Sequence, residues 1–173
     1  MDKADLAHQI HDRAHLTGEF TLRSGATSTQ YFDKYLFEGH PVLLLAIAEA
    51  LAPLVPADTD ALAGLELGGV PLATMLSQVT GLPAMFVRKQ AKPYGTCRLA
   101  EGGDIAGRRL TIVEDVVTSG GQVVLSCGAL RDLGATVQVA LCVIDREAGG
   151  TEALAEIGVA LRSLYRMTEL TPT

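Results

Sequence analysis

Only three cysteines occur in the chain, Cys97, Cys127 and Cys142, and no two of them have the Cys-x-x-Cys spacing. An odd, scattered set argues against a disulfide framework and against a cysteine-based zinc site. Cys127 and Cys142 fall in apolar stretches and read as small core residues, Cys97 lies in a polar loop, and a reducing cytoplasm suits all three. The chain has no Walker A sequence, no Gly-x-Gly-x-x-Gly after a strand and no His/Cys metal spacing. It also lacks an apolar run able to span a bilayer: the longest, Val42 to Val55, is interrupted by Glu49 and Pro53. The charged N-terminus has no apolar segment of the secretory type, so no leader is expected. Positive charge is in deficit, 14 Lys and Arg against 20 Asp and Glu. That net charge of −6 argues against a general nucleic-acid or membrane-surface binder.

What remains is the profile of a folded domain. Hydrophobic residues make up 48% and charged ones 20% of 173 residues, enough for one domain with a real core and too few for two ordinary ones. No internal repeat, low-complexity tract or linker divides the chain. Asp2 to Leu16 reads as an amphipathic helix with Leu6, Ile10 and Ala14 along one stripe. Phe20 to Arg23 and Tyr31 to Phe37 read as short strands around a Ser24-Gly25-Ala26-Thr27 turn. Pro41 opens a helix that is apolar almost all round, so burial on more than one side, in a core or at a subunit interface, is expected. From about Asp60 strands and helices alternate: strands at Asp60 to Glu66, Pro83 to Arg88, Thr136 to Ile144 and Val159 to Tyr165, helices at Val70 to Thr80 and Thr151 to Ile157. Such alternation implies an α/β fold, a mostly parallel central sheet flanked by helices on both faces. The polar stretch from Lys89 to Gly107 is long for a connector, and loops of that size are more often functional lids.

The most informative stretch runs from Leu110 to Gly121, Leu-Thr-Ile-Val-Glu-Asp-Val-Val-Thr-Ser-Gly-Gly. It reads as a buried strand ending in two carboxylates, Glu114 and Asp115, then a Thr/Ser/Gly turn into a helix from Gln122. At the carboxyl edge of a parallel sheet this makes a ligand socket. The glycines let backbone approach a phosphate, with the free N–H groups of the helix start facing it. The carboxylates suit sugar hydroxyls or a divalent cation. An ordinary strand-to-helix turn with acids near the helix N-terminus is the plainer alternative. A second loop, Arg88 to Arg98, holds four cations and no acid, a pattern that suits an anionic leaving group or, more simply, a solvated surface. A third, Gly64-Leu-Glu-Leu-Gly-Gly-Val-Pro71, can present backbone amides to an anion.

The acidic pair and its turn resemble the signature of type I phosphoribosyltransferases, which use 5-phosphoribosyl-1-diphosphate (PRPP). The Arg88-Lys89-x-Ala-Lys92 loop, the Phe20-Thr-Leu-Arg-Ser-Gly25 segment followed by Tyr31-Phe32-Asp33-Lys34, and Asp145-Arg146-Glu147 at a strand end narrow the resemblance to the orotate phosphoribosyltransferase family. The matches run from Phe20 to Glu147. The resemblance implies a single domain with a small N-terminal hood (1–40) and a mobile catalytic loop (89–107). It places the ribose on Glu114 and Asp115, the 5-phosphate on the turn Thr118, Ser119, Gly120, Gly121 and Gln122, and the diphosphate on Gly68, Gly69, Arg88, Lys89 and Lys92, with Val116, Val117 and Tyr94 as further PRPP contacts. Arg23, Tyr31, Phe32, Thr118 and Arg146 would bind orotate. Tyr94 stands where many members carry His, and Gly68 where many carry Lys. Magnesium is implied as cofactor, held mainly by PRPP with Glu114 and Asp115 as candidate ligands. The expected product is orotidine 5′-monophosphate, a step of pyrimidine biosynthesis, made by a cytoplasmic homodimer in which Arg88 and Lys92 reach the neighbouring subunit's site. A phosphoribosyltransferase for a purine or another pyrimidine, and a PRPP-binding transcriptional regulator, are the alternatives.

Overall fold

The computed structural model describes residues 1–22, 25–95 and 98–170. Arg23 and Cys97 of the sequence reading lie outside them. The first helix, α1 (Lys3–Ala14), starts where the Asp2 side chain accepts the Asp5 N–H at 2.8 Å, and it buries Leu6, Ile10 and Ala14. It stops two residues short of the expected Leu16 because His15 is taken by a hairpin. In that hairpin β1 (His15–Thr21) pairs antiparallel with β2 (Thr27–Phe32), His15 opposite Phe32. The expected strand from Tyr31 is therefore cut short. Tyr35 onward forms a helical turn, α2 (Tyr35–Glu38), since Asp33 Oδ1 accepts the Tyr35 N–H and bends the chain. Helix α3 (Pro41–Leu51) has proline at its start and His40 Nδ1 accepting from Leu43 N–H. It buries Leu43, Ile47, Ala48 and Leu51, while Val42 and Leu45 stay exposed, so within one chain only one side is covered.

The remaining elements are β3 (Ala61–Leu65), α4 (Gly69–Thr80), β4 (Ala84–Val87), β5 (Ala100–Glu101), β6 (Arg109–Val117), α5 (Gly121–Asp132), β7 (Thr136–Asp145), α6 (Gly150–Glu156), β8 (Ala160–Arg166) and α7 (Met167–Leu170). They build a six-stranded sheet in the order β5-β4-β3-β6-β7-β8, parallel apart from the two-residue edge strand β5. The short β5 falls inside the loop expected to lack regular structure.

Alternate residues of the central strands enter two separate cores, as a period of two requires. Leu62, Val113, Leu141 and Val143 pack with α1, α3 and α4 on one face. Ala61, Ala63, Leu65, Leu110 and Ile112 pack with Val123, Cys127 and Leu130 of α5 and Leu154 of α6 on the other. Strands β3 and β6 are neighbours, Ala63 beside Ile112, yet the helices that follow them leave on opposite faces. That is a topological switch point, and the loops after the two strands open at its carboxyl end.

Candidate active site

Both turns at the switch point are shaped by glycine. Gly120 has φ of 76°, a left-handed conformation that a side chain resists, and the first turn of α5 starts just beyond it. Val124 N–H donates to the Gly120 carbonyl at 2.9 Å, leaving the earlier amides of this helix start facing outward. Thr118, Ser119, Gly121 and Gln122 are exposed and Gly120 is buried. Gly150 lies beneath this turn; a Cβ on it would meet the Val117 side chain at 2.5 Å and the Thr118 carbonyl oxygen at 2.6 Å. In the other turn the Glu66–Leu67 peptide is cis, and Gly69 lies so close to the Val113 carbonyl that any Cβ would overlap it. A Cβ on Gly68 would likewise overlap the Asp115 carboxylate, which puts this turn directly over the acidic strand.

The acids do not sit at the strand terminus, since β6 runs on to Val117. As neighbours in an extended strand they leave on opposite faces. The Glu114 side chain turns back, its Oε1 accepting the Asp115 N–H at 3.1 Å, and Asp115 Oδ1 accepts the Val116 N–H at 2.5 Å. Asp115 is fully buried and Glu114 only 9% exposed, so the open acidic rim expected from the sequence is covered. The cover comes from the segment after the hairpin. Lys34 places its Nζ 2.5 Å from Asp115 Oδ2, and Glu38, one helical turn further on, is buried beside it with no donor to either carboxyl oxygen.

Charge in this cluster is distributed unevenly. Burial would raise the Asp115 pKa, but hydrogen bonds from Glu114, Glu38 and Lys34 outweigh it and hold this carboxyl below its ordinary range. Burial, together with the Asp115 charge, pushes Glu114 well above the usual carboxylate value. Burial and a hydrogen bond to Asp115 push Glu38 up to about 9. For Lys34, burial acts to lower the pKa, and the bond and charge of Asp115 more than reverse that. The cluster thus centres on one ion pair, Lys34 with Asp115, beside a Glu38 carboxyl that keeps its proton at neutral pH and a Glu114 carboxyl pushed towards its neutral form. A neutral Glu38 facing Asp115 is a donor through one of its buried oxygens. The sequence reading does not name Glu38, and Lys34 enters it only at the end of the Tyr31-Phe32-Asp33-Lys34 segment, with no role assigned. Their i,i+4 pairing depends on α2, where the sequence predicts a strand through Phe37, so only the fold brings the two side chains together.

The basic loop meets the β3–α4 turn through Glu66. Arg88 and Lys89 are exposed, Lys89 N–H donates to Glu66 Oε1 at 2.5 Å, and Lys92 pairs with Glu101 at 2.6 Å. Arg88, Lys89 and Gln122 line a common cavity of about 370 Å³ with Leu99, Leu125 and Ser126, so the loop's start and the N-terminal half of α5 share one depression. Tyr94 is 72% exposed, its ring 6.0 Å from Lys92 Nζ. Among the described residues no hydrogen bond or ion pair joins these cations to Glu114 or Asp115.

The residues expected to hold a base are less closely grouped. Tyr31 and Phe32 point to opposite faces of β2: Tyr31 is exposed and stacks on Phe20 at 5.4 Å, whereas Phe32 packs towards Phe37 and the core. Arg146 follows β7 and is exposed, its N–H donating to the Val117 carbonyl at 2.9 Å, one residue from Thr118. Asp145 and Glu147 do not neutralise it: Asp145 accepts from Glu147 N–H and Thr151 Oγ1, and Glu147 accepts from Thr168 N–H. Among the described residues no group of three or more His, Cys, Asp or Glu could cage a metal ion. Adjacent carboxylates beside an anion turn fit magnesium better in the mode where substrate oxygens supply most of its ligands.

No family model matches the chain. It is 55% identical to a Nocardioides orotate phosphoribosyltransferase over 167 residues, 96% of this chain and 93% of that protein. The crystal structure of the Mycobacterium tuberculosis H37Rv orotate phosphoribosyltransferase superposes with a TM-score of 0.88 at 31% identity, covering 99% of this chain and all of the other. The same mycobacterial protein in complex with PRPP superposes at 0.84, with 29% identity and 98% and 99% coverage. An α/β sheet of this order, a glycine turn beyond an acidic strand and this degree of identity lead to one conclusion: the chain belongs to the orotate phosphoribosyltransferases.

Proposed function

We propose that the chain transfers the 5-phosphoribosyl group of PRPP to a ring nitrogen of orotate, giving orotidine 5′-monophosphate and diphosphate, as a step of pyrimidine biosynthesis. The observation that carries this reading is the meeting of the Gly120 turn, the Gly68-Gly69 turn and Asp115 at one switch point, in a chain 55% identical to an orotate phosphoribosyltransferase. Glu114 and Asp115 hold the ribose hydroxyls, and the turn Thr118 to Gln122 holds the 5-phosphate through the amides ahead of α5. The Gly68-Gly69 amides, Arg88, Lys89, Lys92 and Tyr94 receive the diphosphate. Glu114 and Asp115 are the candidate protein ligands for a magnesium ion held mainly by PRPP, which would neutralise charge on the leaving group. Breaking the C1–O bond leaves positive charge on the ribose, which the Asp115 carboxylate faces, and negative charge on the diphosphate, which the loop cations face. Preplaced charges of that kind supply a large share of such a barrier reduction. Arg146, exposed beside Thr118, is the candidate for the orotate carboxylate, a planar fork suited to bidentate recognition, with Arg23 and Tyr31 at that subsite and Phe32, turned towards Phe37, supporting it from the core side. Orotate brings its own anion, so no general base is assigned.

Residues 1–40 act as a hood in this reading and 89–107 as the mobile catalytic loop of a single domain. The assembly is a homodimer with shared sites, supported by exposed Tyr35, Leu36, Val42 and Leu45 in the α2–α3 region, an apolar surface that a second copy would cover. A cytoplasmic setting fits the free thiols of Cys127 and Cys142; among the described residues no helix is long and apolar enough to cross a membrane. The deciding measurement is diphosphate release from PRPP and magnesium with orotate as the only base. Release with hypoxanthine, xanthine or uracil but not orotate would overturn the assignment. Mixing Asp115→Ala and Lys92→Ala subunits should recover part of the activity lost in each; no recovery would refute shared sites.

A further inference from the structure

The strongest feature not absorbed by that reading is the buried ion pair contributed by the hood. Asp115 has two carboxyl oxygens, and Oδ1 is occupied by the Val116 N–H. Oδ2 is the oxygen left for a sugar hydroxyl, and there the Lys34 ammonium sits at 2.5 Å. The same carboxylate lies against Gly68, in a turn that carries no cation of its own. Lys34 is therefore beside the diphosphate turn as well as on the ribose carboxylate. Its side chain is 32% exposed, and it sits where β2 gives way to α2, so its flexible stem can reorient.

We propose that Lys34 is an exchanging residue of the active site: a ribose hydroxyl of PRPP takes Asp115 Oδ2 from it, and the freed ammonium passes to the substrate's diphosphate. This rests on the reading above. An ammonium displaced from the Asp115 carboxylate loses its partner at a half-buried position, and a nearby anion restores one. The diphosphate, arriving at the neighbouring turn, is the anion it meets. Lys34 thereby supplies the cation that Gly68 does not.

Two probes separate the steps. Ribose 5-phosphate has the hydroxyls and the 5-phosphate but no diphosphate, so it displaces Lys34 without rehousing it. In the wild-type protein with magnesium, amine acylation read by peptide mass analysis should show Lys34 labelled faster with ribose 5-phosphate than in the protein alone, and slower with PRPP. Lys34→Met should bind ribose 5-phosphate about threefold tighter or better and PRPP about tenfold weaker, because a competitor is removed in the first case and a charge-assisted hydrogen bond is lost in the second. Unchanged Lys34 labelling with both ligands, or equal labelling rises with both, overturns the exchange. The wild-type experiment needs no folded variant. Orotate-dependent turnover together with unchanged labelling would sink this inference alone, whereas absence of turnover would sink the underlying reading and this with it.

Discussion

Around the end of β6, Gly69 rests on the Val113 carbonyl, Gly150 lies under Val117 and Thr118, and Gly68 covers Asp115. Along the basic loop, by contrast, the described contacts are polar ones near the surface: Lys89 N–H on Glu66 and Lys92 on Glu101, with Arg88, Lys89 and Tyr94 exposed. The first region is defined by backbone in van der Waals contact, where a single methyl group has nowhere to go. The second is defined by ion pairs of a kind that contributes little to stability and is readily exchanged for another anion. A site divided this way can hold a phosphorylated sugar in fixed geometry while delivering cations to a leaving group that must later depart.

The comparison is broken most severely at Gly69. Replacing it by alanine forces the β3–α4 turn away from Val113, and overpacking against backbone should cost about 3 kcal/mol or more, lowering the melting temperature by about 10 °C and abolishing turnover. A Gly69→Ala protein that melts like the wild type would show the tight region to be slack. Lys89→Ala tests the other half. Turnover should fall about 100-fold while the melting temperature moves by no more than about 2 °C, because the exposed side chain supports no packing. Equal losses in activity and stability would make the loop structural.

A subtler contrast concerns pH. Glu38 binds its proton up to about pH 9 when folded, against an ordinary value of 4.5, so between those limits the folded state holds more protons than the unfolded one. Stability from this group is therefore fully present below about 4.5 and lost as pH rises towards 9. Glu38→Gln, neutral throughout, should flatten the fall in melting temperature between pH 6 and 9, with Glu114 retaining part of the slope. Parallel curves for the two proteins would show that Glu38 titrates normally.

Much of this architecture was legible beforehand because period-two strands, glycine turns and proline starts are local properties. The β6 strand, its turn and α5 fall within one or two residues of the expected limits. Errors cluster in the first 40 residues. There a strand was expected through Phe37, but Asp33 turns the chain into α2, and hairpin pairing takes His15 from α1. The aromatic pair was legible as a pair, yet strand geometry sends Tyr31 outward to Phe20 and Phe32 inward to Phe37.

By itself the sequence determined the alternating α/β order, the acidic strand with its glycine turn and the cationic loop, since each depends on neighbours a few residues away. Only the tertiary structure decided that Lys34 and Glu38 of the hood region close over Asp115, and that Gly68 lies against the same carboxylate. Those contacts arise from which face α4 and the hairpin pack upon, and the protonation of the cluster follows from burial together with charges brought from distant parts of the chain.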